Sequence, residues 1–121
     1  MNWVPLLVAV GILVVFLVAR NAGLISIKAA KDYLKSGALV IDVRSAGEFV
    51  AGHLPSAVNL PLNEIETSWT RRVKDKNRVL LLHCQSGARS KVARKKLIAL
   101  GCPNTFNMGS YDRAARIVSG K

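Results

Sequence analysis

Val79-Leu80-Leu81-Leu82-His83-Cys84-Gln85-Ser86-Gly87-Ala88-Arg89-Ser90 is the stretch whose reading decides the fold. Its apolar start is short, uninterrupted and bounded by polar residues, which predicts a fully buried strand. Lys91 to Leu100 has helical spacing, so the residues between form a strand-to-helix turn. Cys84 then lies at the bottom of that turn, at the positive end of a helix dipole, with backbone amides pointing inward. Such amides, with Arg89 nearby, lower a thiol pKa and hold an anion against the sulfur. The stretch therefore points to a nucleophilic cysteine acting on small anions. The plainer alternative is a buried structural thiol, but Gly, Ser and Arg crowded at such a turn argue against it.

Upstream, Ser26 is a plausible N-cap for a helix over Ile27–Lys35, which Gly37 ends. Ala38-Leu39-Val40-Ile41 predicts a second buried strand, continuous in apolar character as parallel sheets require. A helical turn is expected over Ala46–Val50, and the Gly- and Pro-punctuated segment Gly52 to Pro61 reads as loop, brief strand, loop. Leu62 to Trp69 predicts a helix capped by Asn63, with Trp69 in the core, followed by a solvated basic run from Arg71 to Arg78. Downstream of Cys84, Ser90 is the expected cap of a helix whose buried stripe is Val92, Ala93, Leu97 and Leu100. Gly101 and Pro103 stop it, Thr105 to Met108 is a last strand, and a short basic helix covers Asp112–Val118. Strands alternating with helices imply an α/β sheet, largely parallel.

Composition divides the 121-residue chain in two: Trp3 to Ala19 carries no charge, while the net charge of +11 lies wholly at or after Arg20. Val4 to Ala19 would extend roughly 25 Å as a helix, near the short end for a bilayer core. Trp3 suits an interface, and no basic residue precedes the apolar run as a cleaved signal peptide requires. The expectation is a single transmembrane anchor over 1–20, a tether over 21–25 and a domain over 26–121. Arg20, Lys28, Lys31 and Lys35 would hold that domain on the cytoplasmic side, in a bacterial inner membrane. No nucleic-acid motif is visible and aromatics are scarce, so a lipid bilayer, not nucleic acid, is the expected partner of the basic surface. Two cysteines do not make a disulfide framework; Cys84 reads as free and Cys102 as an apolar filler in a reducing compartment.

Asp42-Val43-Arg44, Glu48-Phe49, Gly52-His53-Leu54-Pro55-Ser56-Ala57-Val58-Asn59 and Cys84-Gln85-Ser86-Gly87-Ala88-Arg89-Ser90, in that order, resemble the rhodanese homology family. The resemblance covers about Leu24 to Val118. It implies a mostly parallel five-stranded sheet flanked by helices, with the active cysteine on a loop after a central strand. It implies a sulfurtransferase, a thiosulfate sulfurtransferase in its usual form. Cys84 would be the catalytic nucleophile that takes a sulfane sulfur from a small anionic donor such as thiosulfate. The resulting persulfide would pass its sulfur to a thiol or protein acceptor, or to cyanide in vitro, without cofactor or metal. Gln85, Ser86, Gly87, Ala88 and Arg89 match the substrate-binding loop. Asp42 and Arg44 match a structural pair, and His53 a position whose expected role is a loop-fixing hydrogen bond. His83 is expected behind the loop. The family's closing pair of glycines before a tryptophan is replaced here by Gly109-Ser110 before Tyr111.

The residues agree with that chemistry. A persulfide anion needs positive potential, which converging amides supply. Arg89 could fork onto an oxyanion or brace the loop through Glu48; the sequence leaves both open. Phosphatases and arsenate reductases of a related branch need one residue more between Cys and Arg than the four found here, a loop too tight for phosphate. A non-enzymatic sulfur-carrier or interaction module is the other alternative, and the presence of Cys84 and Gly87 weighs against it.

Overall fold

The computed structural model describes residues 2–21 and 23–120, with the backbone alone for 19–21. Met1 and the Arg20 side chain of the expected anchor, Ala22 of the tether and Lys121 lie outside the described residues. In chain order the elements are helices α1 (Val4–Asn21) and α2 (Ile27–Lys35), strand β1 (Leu39–Asp42), α3 (Ala46–Ala51), β2 (Val58–Asn59), α4 (Ile65–Arg72), β3 (Leu80–His83), α5 (Ala88–Ala99), β4 (Thr105–Gly109) and α6 (Tyr111–Ser119).

The strands form a parallel sheet in the order β2-β1-β3-β4. Alternate side chains of the apolar runs go to opposite faces, as the two-residue period requires. Ile41, Leu80 and Leu82 pack beneath α4 and α5 with Ile65, Ala93 and Leu97, while Val40 and Leu81 pack beneath α2 and α6 with Ala30, Ala114 and Ile117. Leu80, Leu81 and Leu82 are inaccessible to solvent, and each such side chain contributes about 1.5–3 kcal/mol by burial.

The sheet has four strands, not the five expected. The missing edge is reduced to one parallel bridge, Leu24 to Asn107, with the Ile25 amide donating to the Asn107 carbonyl at 3.0 Å. Gly23 turns the chain at φ +81° just before it. Ser26 caps α2 just after it, its hydroxyl accepting from the Ala29 amide at 3.1 Å, so no room remains for a longer strand. Arg113 ties this edge down by donating to the carbonyls of Ile25 and Met108.

Three local expectations change. Leu62–Glu64 is a 3-10 turn and α4 begins only at Ile65, without a side-chain cap from Asn63. Helix α5 begins at Ala88, so Ser90 lies inside its first turn instead of capping it, and Gly87 takes the cap position. Its buried stripe is Ser90, Ala93 and Leu97, whereas Val92 is exposed.

The expected transmembrane span is not supported: among the described residues no helix is long and apolar enough to cross a membrane. Helix α1 forms, but its apolar part, Val4 to Ala19, rises only roughly 25 Å against a hydrocarbon core of about 30 Å. Its apolar side chains from Val4 to Val18 are exposed.

Candidate active site

The site grows from the carboxyl ends of the strands, where ligands of open parallel sheets bind. Register places Asn59, Asp42, His83 and Gly109 side by side across the sheet at that edge. A slip in the pairing of β3 with β4 between Leu82 and His83 sets His83 against Gly109 and redirects the chain just before Cys84. Two residues beyond this row, Arg44, Gln85 and Tyr111 form a second tier: the Arg44 guanidinium donates to Gln85 Oε1 at 3.4 Å and lies 4.8 Å from the centre of the Tyr111 ring. The Tyr111 amide donates to the Gln85 carbonyl at 3.2 Å. Tyr111 thus closes the tier, and Ser110 caps α6 by accepting from the Arg113 amide.

Asp42 and Arg44 form a buried ion pair. Arg44 Nε donates to both carboxylate oxygens at 3.0 and 3.1 Å, and Nη2 to Oδ2 at 2.8 Å. Hydrogen bonding to Asp42 raises the Arg44 pKa. Arg44 also donates to the Gly52 carbonyl at 2.7 Å, and Asn59 Nδ2 donates to the carbonyls of Asp42 and Arg44, each at 3.0 Å. Breaking one partner of such a buried pair costs about 3–5 kcal/mol, so the pair fixes the loop after β1 relative to the loop after β3.

His83 is buried behind the active loop. Its Nδ1 donates to the Cys84 carbonyl at 3.1 Å, since a carbonyl can only accept. Burial pushes its pKa down, which keeps the ring neutral. Nε2 then turns a lone pair toward Asp42 Oδ2, 3.7 Å away, and has no hydrogen-bond partner. His53 lies elsewhere: it is exposed, stacked on Phe49 with ring centres 3.9 Å apart, and donates to the Phe49 carbonyl at 3.0 Å.

Cys84 is free and buried. Its amide donates to the Gly109 carbonyl at 3.2 Å, and its Sγ accepts from the Gly87 amide at 3.0 Å and from the Ser90 hydroxyl at 3.5 Å. Burial alone would push the thiol pKa up. The Ser90 hydroxyl and the amides of Ser90, Gly87 and Ser86 together outweigh that and hold it below the ordinary thiol value. The sulfur thus lies at the amino end of a twelve-residue helix, among donors that favour its thiolate form. Gly87 makes this possible: at φ +99° it bends the amide inward, and a Cβ there would stand 3.3 Å from Gly109 Cα. Cys102, by contrast, sits in the core with its pKa raised by burial, and forms no disulfide.

The loop residues are divided between tasks. Gln85 and Ser86 are exposed; the backbone of Ser86 bridges to Ser110. Ala88 opens α5. Arg89 is engaged by Glu48 through two parallel bonds, Nη1 to Oε1 at 2.7 Å and Nη2 to Oε2 at 3.0 Å. Glu48 also accepts from the Ser45 amide and hydroxyl, completing a capping box at the start of α3. Chiefly through Arg89, its pKa is held down at about 2. This pairing is the contact that the bracing role of Arg89 requires.

Ser90, Asn59, Asn107 and Tyr111 belong to the site although the sequence reading assigned none of them to it. Asn107 accepts from the Gly109 amide at 2.8 Å and donates to the Gly87 carbonyl at 3.5 Å. Ser90 was within reach of a sequence argument, since a residue six beyond Cys84 falls on the first turn of the helix that follows it.

The chain is similar to known proteins. The chain matches the family described as the rhodanese-like domain over residues 26–114. It is 32% identical over 75 residues to the thiosulfate sulfurtransferase PspE of Escherichia coli, covering 62% of this chain and 72% of that protein. It is 35% identical over 101 residues to thiosulfate sulfurtransferase 18 of Arabidopsis thaliana, covering 70% of this chain and 71% of that protein. Among solved structures, the human single-domain sulfurtransferase TSTD1 superposes with a TM-score of 0.65 at 28% identity, over 77% of this chain and 95% of that one. Sheet order, cysteine loop and relatives agree, and the chain belongs to the rhodanese-like domain family.

Proposed function

We propose that this protein is a thiosulfate sulfurtransferase in which Cys84 cycles between thiolate and persulfide. The observation that carries the reading is the Gly87 amide 3.0 Å from Cys84 Sγ, at the start of a helix, with the thiol pKa pulled down against its burial. The thiolate attacks the outer sulfur of thiosulfate, an S–S bond forms to Cys84, and sulfite leaves with the electron pair of the broken bond. An acceptor thiolate or cyanide then attacks the outer persulfide sulfur and returns Cys84 to thiolate. The amides of Ser86, Gly87 and Ser90 stabilise the anion in both states. Gln85 and Ala88 complete the loop, Arg89 braces it, and Asp42, Arg44 and His53 hold the surrounding chain. Names of relatives such as PspE support the activity.

The test is mass spectrometry of the protein after thiosulfate treatment, beside Cys84→Ser. One added sulfur on Cys84, lost with cyanide and absent from the variant, supports the reading. No added sulfur refutes it.

We further propose that α1 holds the domain at a bilayer with the domain on the cytoplasmic side. Exposed apolar side chains from Val4 to Val18 and the cations that follow support this. The full chain should sediment with membranes, and a carboxyl-terminal reporter that works only in the periplasm should stay silent; recovery of the chain in the membrane-free fraction refutes the attachment.

A further inference from the structure

Strand β3 runs Leu80-Leu81-Leu82 and turns polar at His83, which is as inaccessible to solvent as the leucines before it. His83 shares the face of Leu81, where an apolar side chain could fill the same space. Instead its Nε2 stands 3.7 Å from Asp42 Oδ2 with no hydrogen-bond partner among the described residues. A buried polar atom left in that state is destabilising, and its retention calls for a reason. The bond the ring does make runs from Nδ1 to the Cys84 carbonyl at 3.1 Å.

The consequence of that bond lies on the other side of the peptide. A trans peptide is planar, and its carbonyl and its amide point in opposite directions. The peptide joining Gln85 to Ser86 shows the effect on this loop. The Tyr111 amide holds the Gln85 carbonyl at 3.2 Å, and the Ser86 amide opposite is among the donors that lower the Cys84 thiol pKa. The peptide joining Cys84 to Gln85 is held in the same manner, with His83 in place of Tyr111. Binding of the Cys84 carbonyl by the imidazole aims the Gln85 amide away from the ring. That amide donates to no acceptor among the described residues.

We propose that His83 is a positioning residue, holding the Cys84 carbonyl so that the Gln85 amide faces the outer sulfur of the Cys84 persulfide. The inference rests on the sulfurtransferase reading and deepens it. When the thiolate attacks the outer sulfur of thiosulfate, an S–S bond to Cys84 forms and sulfite leaves with the electron pair of the bond that breaks. One negative charge stays with the protein, now on the outer sulfur, and no proton or redox partner is needed. That charge lies one S–S bond beyond Sγ, past the donors that serve the thiol, and the uncommitted Gln85 amide supplies a donor for it. The ring orientation that serves the Cys84 carbonyl turns Nε2 toward Asp42, which accounts for the unused nitrogen.

The test compares His83→Phe, which keeps a ring and loses the donor, with His83→Asn, whose side-chain amide nitrogen can take the place of Nδ1, both in the full chain. Removal of a preorganised donor should slow persulfide formation at saturating thiosulfate by about tenfold or more in the phenylalanine variant. The asparagine variant should recover the parent rate to within about threefold. The pH dependence of Cys84 alkylation should stay with the parent in both, because Ser86, Gly87 and Ser90 serve the thiol. In the parent, loading Cys84 from thiosulfate should shift the Gln85 amide proton downfield in the NMR spectrum. A phenylalanine variant as fast as the parent overturns the assignment, as does a slow one that asparagine does not rescue. So does a loss of rate matched by an equal shift of the alkylation profile, the mark of a merely structural role. A Gln85 amide that does not move on loading overturns it as well, and that measurement needs no variant to fold. Each of these results, with persulfide still formed by the parent, leaves the sulfurtransferase reading standing. If the parent takes no sulfur from thiosulfate onto Cys84, both readings fall.

Discussion

Replacing Gly87 by alanine perturbs the fold and the chemistry through one atom. At φ +99° the residue lies where an L side chain is strained, at a cost of about 1–2 kcal/mol. The added Cβ would also meet Gly109 Cα at 3.3 Å and its carbonyl carbon at 3.4 Å, closer than ordinary contact. Gly109 is poorly placed to yield. Its carbonyl accepts from the Cys84 amide, its own amide donates to Asn107 Oδ1 at 2.8 Å, and it too sits at positive φ. Crowding of that kind costs a further 1–3 kcal/mol, roughly, so the expected loss is about 2–5 kcal/mol. For a domain of this size that lowers Tm by on the order of 10 °C or more. Any relief of the contact rotates the Gly87 amide away from Cys84 Sγ, so the thiol pKa should rise as well. Thermal unfolding reads the first effect, and the pH dependence of the rate of thiol alkylation reads the second. Ser86→Ala, which keeps every backbone donor, is the control and should move neither by much. A Gly87→Ala protein with Tm and alkylation profile matching the parent would refute the claim that this left-handed turn holds the thiolate.

Two further outcomes follow from the charges around the loop. Ser90→Ala removes the hydroxyl that does most to offset the burial of Cys84, so the alkylation profile should shift to higher pH. Because the folded thiol pKa lies below the unfolded one, the parent gains stability as pH rises through the window between them. The variant should gain less there, and an unchanged alkylation profile would remove Ser90 from the site. Glu48→Gln keeps the capping box with Ser45 but removes the charge that pairs with Arg89. A carboxylate lowered to about 2 from an ordinary value of 4.5 stabilises the fold above 4.5 and loses that contribution as pH falls toward 2. Acid unfolding of the variant should therefore be shallower across that window, and the difference from the parent should shrink in high salt, since the pair is a third exposed. Identical acid limbs would show that the brace contributes nothing.

The parts of the molecule that could be read from the chain are those governed by local periodicity and by backbone chemistry. Leu80-Leu81-Leu82 has one plausible fate, a strand covered on both faces, and Ser26 through Gly37 carries its own start and stop signals. The cysteine loop was legible because Gly87 marks a turn and a run with helical spacing follows it. The fifth strand was not, because its loss depends on Gly23 and Ser26 crowding Leu24 from both sides, a matter of room at the sheet edge instead of propensity. Val92 is exposed because the face set by Ala93 and Leu97 continues back to Ser90, and Val92 lies about 100° around the helix from Ala93. Asn59, Asn107 and Tyr111 carried no local signal at all; their roles come from strand register, which brings residues far apart in sequence to one edge.

Register also explains why an ion pair as costly to bury as Asp42–Arg44 is retained at the edge of a small domain. A loop that holds a cysteine sulfur on backbone amides must present them at fixed distance, yet its exposed residues Gln85 and Ser86 have little apolar surface with which to pack. Rigidity must then come from polar contacts with neighbouring strand ends, and every neighbour takes part. From β1, Arg44 reaches Gln85 while Asp42 holds Arg44; from β2, Asn59 pins the carbonyls of both; from β4, Asn107 and Gly109 reach Gly87 and Cys84. Replacing Asp42 and Arg44 by apolar residues could match or exceed the pair in stability. It would leave Gln85 and the Gly52 carbonyl without their donor, so the loss would appear as a loosened loop more than as a lowered Tm. On this account the buried pair serves the geometry of the sulfur, and the fold tolerates its desolvation because the strands set Asn59, Asp42 and His83 in one row.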